Sequence, residues 1–217
     1  MKNLKLVKIK EGDNYFLRMR KYDEINFNEN DWINSVKTNN LNLKYILDIG
    51  CGHGHKLNYL SKELKTKYNY GVDLSKKAIK EGKKKYKKLK LFNISSLEID
   101  KIKIKFDLII CGFFLYLLDR DEIFRQFDLI YKKLNSNGYL IIIDFNPLFK
   151  HTNRDSRNKK LRTFKMKYDN FLEESGLFKI IFKKNYKTNS VKKFKSNDES
   201  FTLFQKIDFE KNYPENC

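Results

Sequence analysis

Cysteine and proline are both scarce in this chain. Cys51, Cys111 and Cys217 stand far apart, with no C-x-x-C pair among them. That excludes a disulfide framework or a cysteine zinc site as the organising device and suits a reducing cytoplasm. The only prolines are Pro147 and Pro214, so no proline-rich linker splits the 217 residues. That length suits one domain with a sizeable core. Long apolar runs are missing as well. The most apolar stretches, 106–118 and 139–145, fall short of the roughly 20 residues of a membrane span and read as buried strands. The basic start Met1-Lys-Asn-Leu-Lys5 lacks the apolar run of a secretory signal. The His and Cys residues form no cluster with metal-ligand spacing, so no metal is expected.

Acidic residues are the other shortage. Against 46 Lys and Arg there are 27 Asp and Glu, for a formal net charge of +19. Such a surface attracts nucleic acid or an anionic membrane. The lysines, however, are spread along solvent faces rather than gathered into a motif. The densest run, Lys83 to Lys88, falls at an expected helix end, where cations complement the dipole. A solvated, compositionally biased surface is the reading adopted.

What is present is an alternation of strand and helix signals, which indicates a parallel sheet covered by helices. Strands are expected at 45–50, 68–73, 89–93, 106–112 and 139–145. Leu57, Leu60 and Leu64 share one face of a helix over 55–65. Ser75 is placed to cap a helix over 76–87 that turns Ala78 and Ile79 inward. Asp119 or Asp121 can cap a helix reaching about 134, and Asn137-Gly138 reads as a turn. Residues 146–163 are polar and basic without a clear period, a long connection of the kind that carries function. A helix over 167–175 and strands at 178–186 and 201–207 follow, the last two as an antiparallel pair at the sheet edge. The domain map is a partly helical arm over 1–40, a main domain over 41–209 with a linker at 146–166, and a frayed tail over 210–217.

The chemistry concentrates at the first strand end. Gly50-x-Gly52-x-Gly54 lets backbone approach a ligand closely, with helix N–H groups facing it. Asp73 ends the next strand, where a carboxylate can accept a ribose diol. A dinucleotide fingerprint needs glycine at position 55, which is His55. A nucleoside without a pyrophosphate therefore fits better.

These residues resemble a known family. Leu47-Asp-Ile-Gly-Cys-Gly-His-Gly54 is similar to the first motif of class I S-adenosylmethionine-dependent methyltransferases, and Gly71-Val-Asp-Leu-Ser75 to the second. Phe106-Asp-Leu-Ile-Ile-Cys-Gly112 and Asn137-Gly-Tyr-Leu-Ile-Ile-Ile143 resemble their fourth and fifth strands. Gly12-Asp-Asn-Tyr-Phe-Leu-Arg18, Gly112 to Arg120 and Phe164 to Tyr168 look like segments of small bacterial members, some from surface-polysaccharide gene neighbourhoods.

The resemblance implies an α/β fold with a seven-stranded, mostly parallel, doubly wound sheet in the order 3-2-1-4-5-7-6. Helices cover both faces and the last strand is antiparallel. It implies S-adenosyl-L-methionine as cofactor. Gly50, Cys51 and Gly52 would hold its methionine end through backbone, with Asp48 positioning the loop and the amino group. Asp73 would bind the ribose, Leu74 would lie on the adenine, and Asn93 with the Ile94 N–H would meet the adenine edge. Gly112 would sit beside the sulfonium, and Tyr15 and Arg18 would close the arm as a lid. Catalytic candidates are Tyr116, facing the substrate, and His151 as general base.

The acceptor implied is a small molecule or sugar intermediate, methylated on oxygen or nitrogen. A nucleic-acid methyltransferase is the charge-driven alternative. Against it, Cys111-Gly-Phe-Phe114 ends the fourth strand where amino-directed base methylation uses N/D-P-P-Y/F. A non-catalytic cofactor-binding module on the same fold is the third reading.

Overall fold

The computed structural model describes residues 3–7, 11–19, 30–39, 41–155, 158–186 and 198–208. The expected tail at 210–217 and most of the Lys, Asn and Ser link before residue 198 lie outside them.

The sheet is built on strands β1 (Tyr45–Ile49), β2 (Tyr68–Val72), β3 (Leu89–Phe92), β4 (Phe106–Gly112) and β5 (Leu134–Phe145). Those five pair in parallel, while β9 (Glu199–Lys206) runs antiparallel between β5 and β8 (Phe178–Tyr186). The spatial order is β3-β2-β1-β4-β5-β9-β8. This is the expected arrangement of seven strands. The numbering differs because β6 (His151–Arg154) and β7 (Arg162–Lys165) form a separate antiparallel hairpin. The connection read as lacking a period therefore carries a small sheet of its own. Four-residue strands facing solvent on one side leave too short an alternation to be seen.

Alternation along the central strands sorts the core into two layers. Leu47, Ile49, Ile109 and Ile142 lie with Phe127 and Ile130 of α6 (Ile123–Lys133) and Tyr168 and Leu172 of α7 (Tyr168–Glu174). Ile46, Leu108, Ile110, Ile141 and Ile143 lie with Ile33 and Val36 of α3 (Asn30–Thr38). The same layer takes Leu57 and Leu60 of α4 (His55–Glu63) and Ile79 of α5 (Lys76–Lys85). Helices thus cover both faces. Asp107 ties the strand starts together, accepting from the Lys44 and Tyr45 amides at 2.8 and 2.9 Å and from Asn135 Nδ2 at 2.7 Å.

Ser75 caps α5 as expected, its Oγ accepting from the Ala78 N–H at 3.0 Å. Neither Asp119 nor Asp121 caps α6. A 3-10 turn over Arg120–Glu122 intervenes, and Glu122 precedes the helix without a side-chain cap. Asp119 instead accepts from the Asn3 backbone N–H at 3.0 Å. Asn137-Gly138 does not separate helix from strand either. It lies within β5, at an irregular pairing with β4 where Asn137 takes a φ of 57°. The arm contributes α1 (Asn3–Leu6) and α2 (Gly12–Met19) before α3.

Candidate functional site

The site forms at the carboxyl ends of β1, β2 and β4, where an open α/β sheet receives ligands. β1 runs directly into Gly50, whose φ of 77° opens the loop. The Gly50 and Cys51 N–H groups both donate to the Val72 carbonyl, at 2.9 and 3.1 Å. A Cβ at Gly50 would lie 3.3 Å from the Phe114 Cβ, so both backbone angle and space select glycine there. The Gly52 N–H donates to Asp73 Oδ2 at 2.9 Å and the Ser75 N–H to Oδ1 at 2.7 Å. Two lone pairs of the carboxylate remain for further donors. Burial raises the Asp73 carboxyl, offset in part by those two amide bonds.

Asp48 lies on β1 beneath this loop, 6% exposed. Its carboxylate receives no hydrogen bond from the described residues. Burial pushes it up to about 7, against the pull of Lys56 and with a further push from Asp73. A carboxylate in that position can accept from an ammonium group. Asn93 is exposed and spends its Nδ2 on the Asp73 carbonyl at 2.9 Å, which leaves its amide oxygen as acceptor. Cys51 and Cys111 are free and buried, and burial drives both thiols up. They are core residues rather than nucleophiles.

A cleft of about 980 Å³, counting its open mouth, takes its lining from two groups of segments. Gly50, Asp73, Leu74 and Ile94 come from the strand ends and the loops after them, and Tyr15, Tyr116, Asp155 and Leu161 from the arm, the turn after β4 and the 146–166 connection. Phe113 and Phe114, which follow β4, line it as well. Phe113 holds a φ of 52°, a costly angle for an aromatic residue, with its N–H on the Ile143 carbonyl at 2.7 Å. Of the expected residues, Tyr15, Gly50, Asp73, Leu74, Ile94 and Tyr116 are thus brought together. Arg18, Asp48, Cys51, Gly52, Asn93 and Gly112 are not among the lining residues.

Tyr116 sits in a 3-10 turn after β4 and is 9% exposed. Its ring meets Phe145 edge-on at 5.0 Å and its hydroxyl bonds with that of Tyr15. Burial, the Tyr15 hydroxyl and Asp144 raise the phenol, so it stays protonated at neutral pH. Asp144, 1% exposed, accepts from the Phe145 N–H at 2.8 Å and the Tyr116 N–H at 3.3 Å. Burial lifts it to about 7. Arg120 braces the same turn. It donates to the Leu115 and Leu118 carbonyls at 2.7 and 2.6 Å and to the Tyr168 hydroxyl at 3.0 Å, with the Phe164 ring 4.6 Å away.

The arm packs against the Tyr116 turn, the connection and the start of α5. Asn3, 3% exposed, donates through Nδ2 to the carbonyls of Leu117 and Arg162 at 2.8 and 2.6 Å. Its Oδ1 accepts from the Arg162 N–H at 3.1 Å. Asp13 accepts from Ser75 Oγ at 2.7 Å and the Lys77 N–H at 3.0 Å, docking α2 on the start of α5. Glu11 takes an ion pair from Arg18 and a 2.8 Å bond from Asn158 Nδ2. Arg18 Nε is a buried donor with no acceptor. His151 lies on the hairpin and does not line the cleft. Its Nδ1 meets the Phe149 carbonyl at 2.9 Å while Nε2 is buried without a partner.

Sequence reasoning passed over Glu11, Phe113, Phe114, Arg120, Asp144 and Asp155. Asp144 had a signal, since it closes the apolar run Leu140-Ile-Ile-Ile143. So had Phe113-Phe114, an aromatic pair following a strand end. Glu11 and Asp155 reach the cleft only through tertiary contacts of irregular segments.

A family model described as a methyltransferase domain matches residues 41–200. The chain belongs to the methyltransferase domain family. An uncharacterised protein of Rickettsia prowazekii is 31% identical over 145 residues, 63% of this chain. The chain matches only 58% of the length of that curated relative. Among solved structures of the same fold is magnesium protoporphyrin IX methyltransferase of Synechocystis with bound SAM. It has a TM-score of 0.66 at 16% identity, covering 95% of this chain and 98% of the other. The N-methyltransferase NodS of Bradyrhizobium japonicum, in complex with S-adenosylhomocysteine, gives 0.62 at 17%, covering 83% and 86%.

Proposed function

We propose that the chain transfers the methyl group of S-adenosylmethionine to oxygen or nitrogen of a small-molecule or sugar-type acceptor. The observation that carries this reading is the meeting, in one cleft, of the Gly50 loop with the carboxylate of Asp73 and the apolar pair Leu74 and Ile94. That is a nucleoside site without a pyrophosphate cradle.

The residues present fit the cofactor. Asp73 keeps lone pairs for a ribose diol, and Leu74 and Ile94 offer an apolar bed for the base. Asn93 Oδ1 is an acceptor for an exocyclic amine. The donorless carboxylate of Asp48 answers an ammonium, and the orphaned Arg18 Nε answers a carboxylate. Gly50 to Gly52 admit the chain between them. Bound there, the sulfonium supplies an already electrophilic methyl group. The protein's part is then to aim the acceptor opposite the sulfur and exclude water. Residues 1–40 act as the lid and 146–166 as the acceptor-side wall. Tyr116, held protonated, orients the acceptor by hydrogen bonding rather than as a base. No helix among the described residues is long and apolar enough to cross a membrane. Buried, free Cys51 and Cys111 suit a cytoplasmic setting.

Isothermal titration with S-adenosylmethionine and S-adenosylhomocysteine tests the reading. Micromolar binding that Asp73→Ala abolishes is the expected result. Absence of binding by the intact chain would overturn it.

A further inference from the structure

Most of the +19 charge is spread over the surface, but two lysines are set among aromatic rings at one edge of the sheet. The edge strand there is β3. Its side chains alternate. Leu89 and Leu91 enter the layer shared with α4 and α5, and Lys90 and Phe92 stand exposed on the opposite face. Tyr45 of β1 is registered with Tyr68 of β2, and Tyr70 of β2 with Lys90. The Tyr45 and Tyr68 rings stack at 4.6 Å, and those of Tyr70 and Phe92 lie parallel at 6.3 Å. Lys67 Nζ is 5.1 Å from the Tyr68 ring centre. Lys90 Nζ is 5.1 Å from that of Tyr70 and 6.0 Å from that of Tyr68, and donates to the Tyr70 hydroxyl at 3.2 Å. Among the described residues neither lysine forms an ion pair. The acids that follow β3, Glu98 and Asp100, lie on the 3-10 turn over Ser96–Lys101, where Glu98 pairs with Lys101.

We propose that this strip binds single-stranded nucleic acid, with bases laid on the rings and phosphates on Lys67 and Lys90. No strip residue lines the cleft, so docking here is independent of what receives the methyl group.

The two residue types answer the two parts of a nucleotide. A ring face takes another flat π system, and an ammonium takes a phosphate. Three adjacent strands at about 4.8 Å spacing give room for roughly two or three bases. Lys90 sits between Tyr68 and Tyr70, so a phosphate that draws it outward uncovers ring face for a base. A duplex keeps its base faces in its own stack and would use the lysines alone. An acidic peptide would do the same. A membrane surface takes a broad apolar side that protrudes. Here Phe92 is 37% exposed, Tyr45 and Tyr68 are half-buried and Tyr70 is buried, so too little apolar surface stands out to anchor in lipid.

The test is fluorescence anisotropy of the full chain with a labelled twelve-residue oligodeoxythymidylate and with an abasic strand of equal length and charge. A chain of this charge attracts both through phosphate alone, so the base and the position of the cation are the readouts. The thymidylate strand is expected to bind at least tenfold more tightly than the abasic one. Phe92→Ala and Tyr68→Leu should each weaken the thymidylate strand about tenfold and leave the abasic strand within twofold. Phe92→Leu keeps the bulk and stands in if Phe92→Ala does not fold. Lys67→Ala combined with Lys90→Ala should reduce the salt slope by about 1.4. Lys83→Ala combined with Lys84→Ala, an equal loss of charge on α5, should leave binding within twofold. Equal affinity for the two strands would overturn the proposal. So would ring variants that bind thymidylate unchanged, or an equal effect of the two lysine pairs. Phosphatidylglycerol vesicles bound in place of the thymidylate strand, and lost in Phe92→Ala, would assign the strip to a membrane surface and also overturn it.

Discussion

Asp73 Oδ2 accepts the backbone N–H of Gly52 at 2.9 Å, so the carboxylate that closes the second strand also holds the loop that follows the first. Shape and ligand chemistry therefore depend on one side chain. Asp73→Ala removes the tie to Gly52, the tie to Ser75 and the acceptor proposed for the ribose at once. Each charge-assisted bond contributes about 1.5–3 kcal/mol. S-adenosylhomocysteine affinity should fall at least about a hundredfold by calorimetry. Asp73→Asn keeps one acceptor oxygen and should lose less.

Asp48 and Asp144 predict an unusual pH response. Burial lifts each from an ordinary 3.8 to about 7. Between about pH 4 and 7 the folded chain holds protons that the unfolded chain has released. Their contribution to stability is complete below about pH 4 and is lost as pH rises through 7. The ligand-free chain should melt lower at pH 8 than at pH 5.5. Asp48→Asn should flatten that slope and raise stability at pH 8 by at least about 1 kcal/mol, while weakening cofactor binding. Thermal denaturation across pH, with and without S-adenosylhomocysteine, measures both halves of the trade. An unchanged slope would count against a protonated Asp48.

The arm depends on Asn3 more than its short helix suggests. Asn3→Ala removes three side-chain bonds, two of them to Arg162. Hydrogen exchange should speed up about tenfold or more over residues 3–19, while β1 and β4 keep their protection. Cofactor dissociation should accelerate in parallel.

Arg120 serves the Tyr116 turn through a planar fork that an ammonium does not reproduce. Arg120→Ala should cost about 2–3 kcal/mol in urea unfolding, and Arg120→Lys should recover only part. Equal stability of the two variants would mean that the charge alone matters.

The sheet was legible in the sequence because each central strand is a nearly unbroken apolar run bounded by glycine, aspartate or a lysine-rich turn. The part of the cleft proposed for the nucleoside was legible for a related reason. Gly50, Asp73 and Leu74 lie within one β-α-β unit, where spacing along the chain fixes spacing in the cleft. The part lined by the arm and the connection was not. Tyr15, Asp155 and Leu161 are far apart in sequence, and contacts of Asn3, Asp13, Glu11 and Asn158 help to bring their segments together. His151 shows the converse. Its position in a basic connection suggested a base, but the β6–β7 pairing directs Nδ1 to a local carbonyl and keeps it out of the cleft wall.

That hairpin leaves the sheet after Phe145 and returns before Tyr168 without pairing to any of the seven strands. Insertions or exchanges between residues 146 and 166 therefore leave the registers of β5 with β4 and β9 intact. The part of the wall that contributes Asp155 and Leu161 can be rewritten while the Gly50 loop and Asp73 stay fixed. One part of this cleft is thus pinned by strand pairing, and the other hangs on a hairpin that the sheet does not hold.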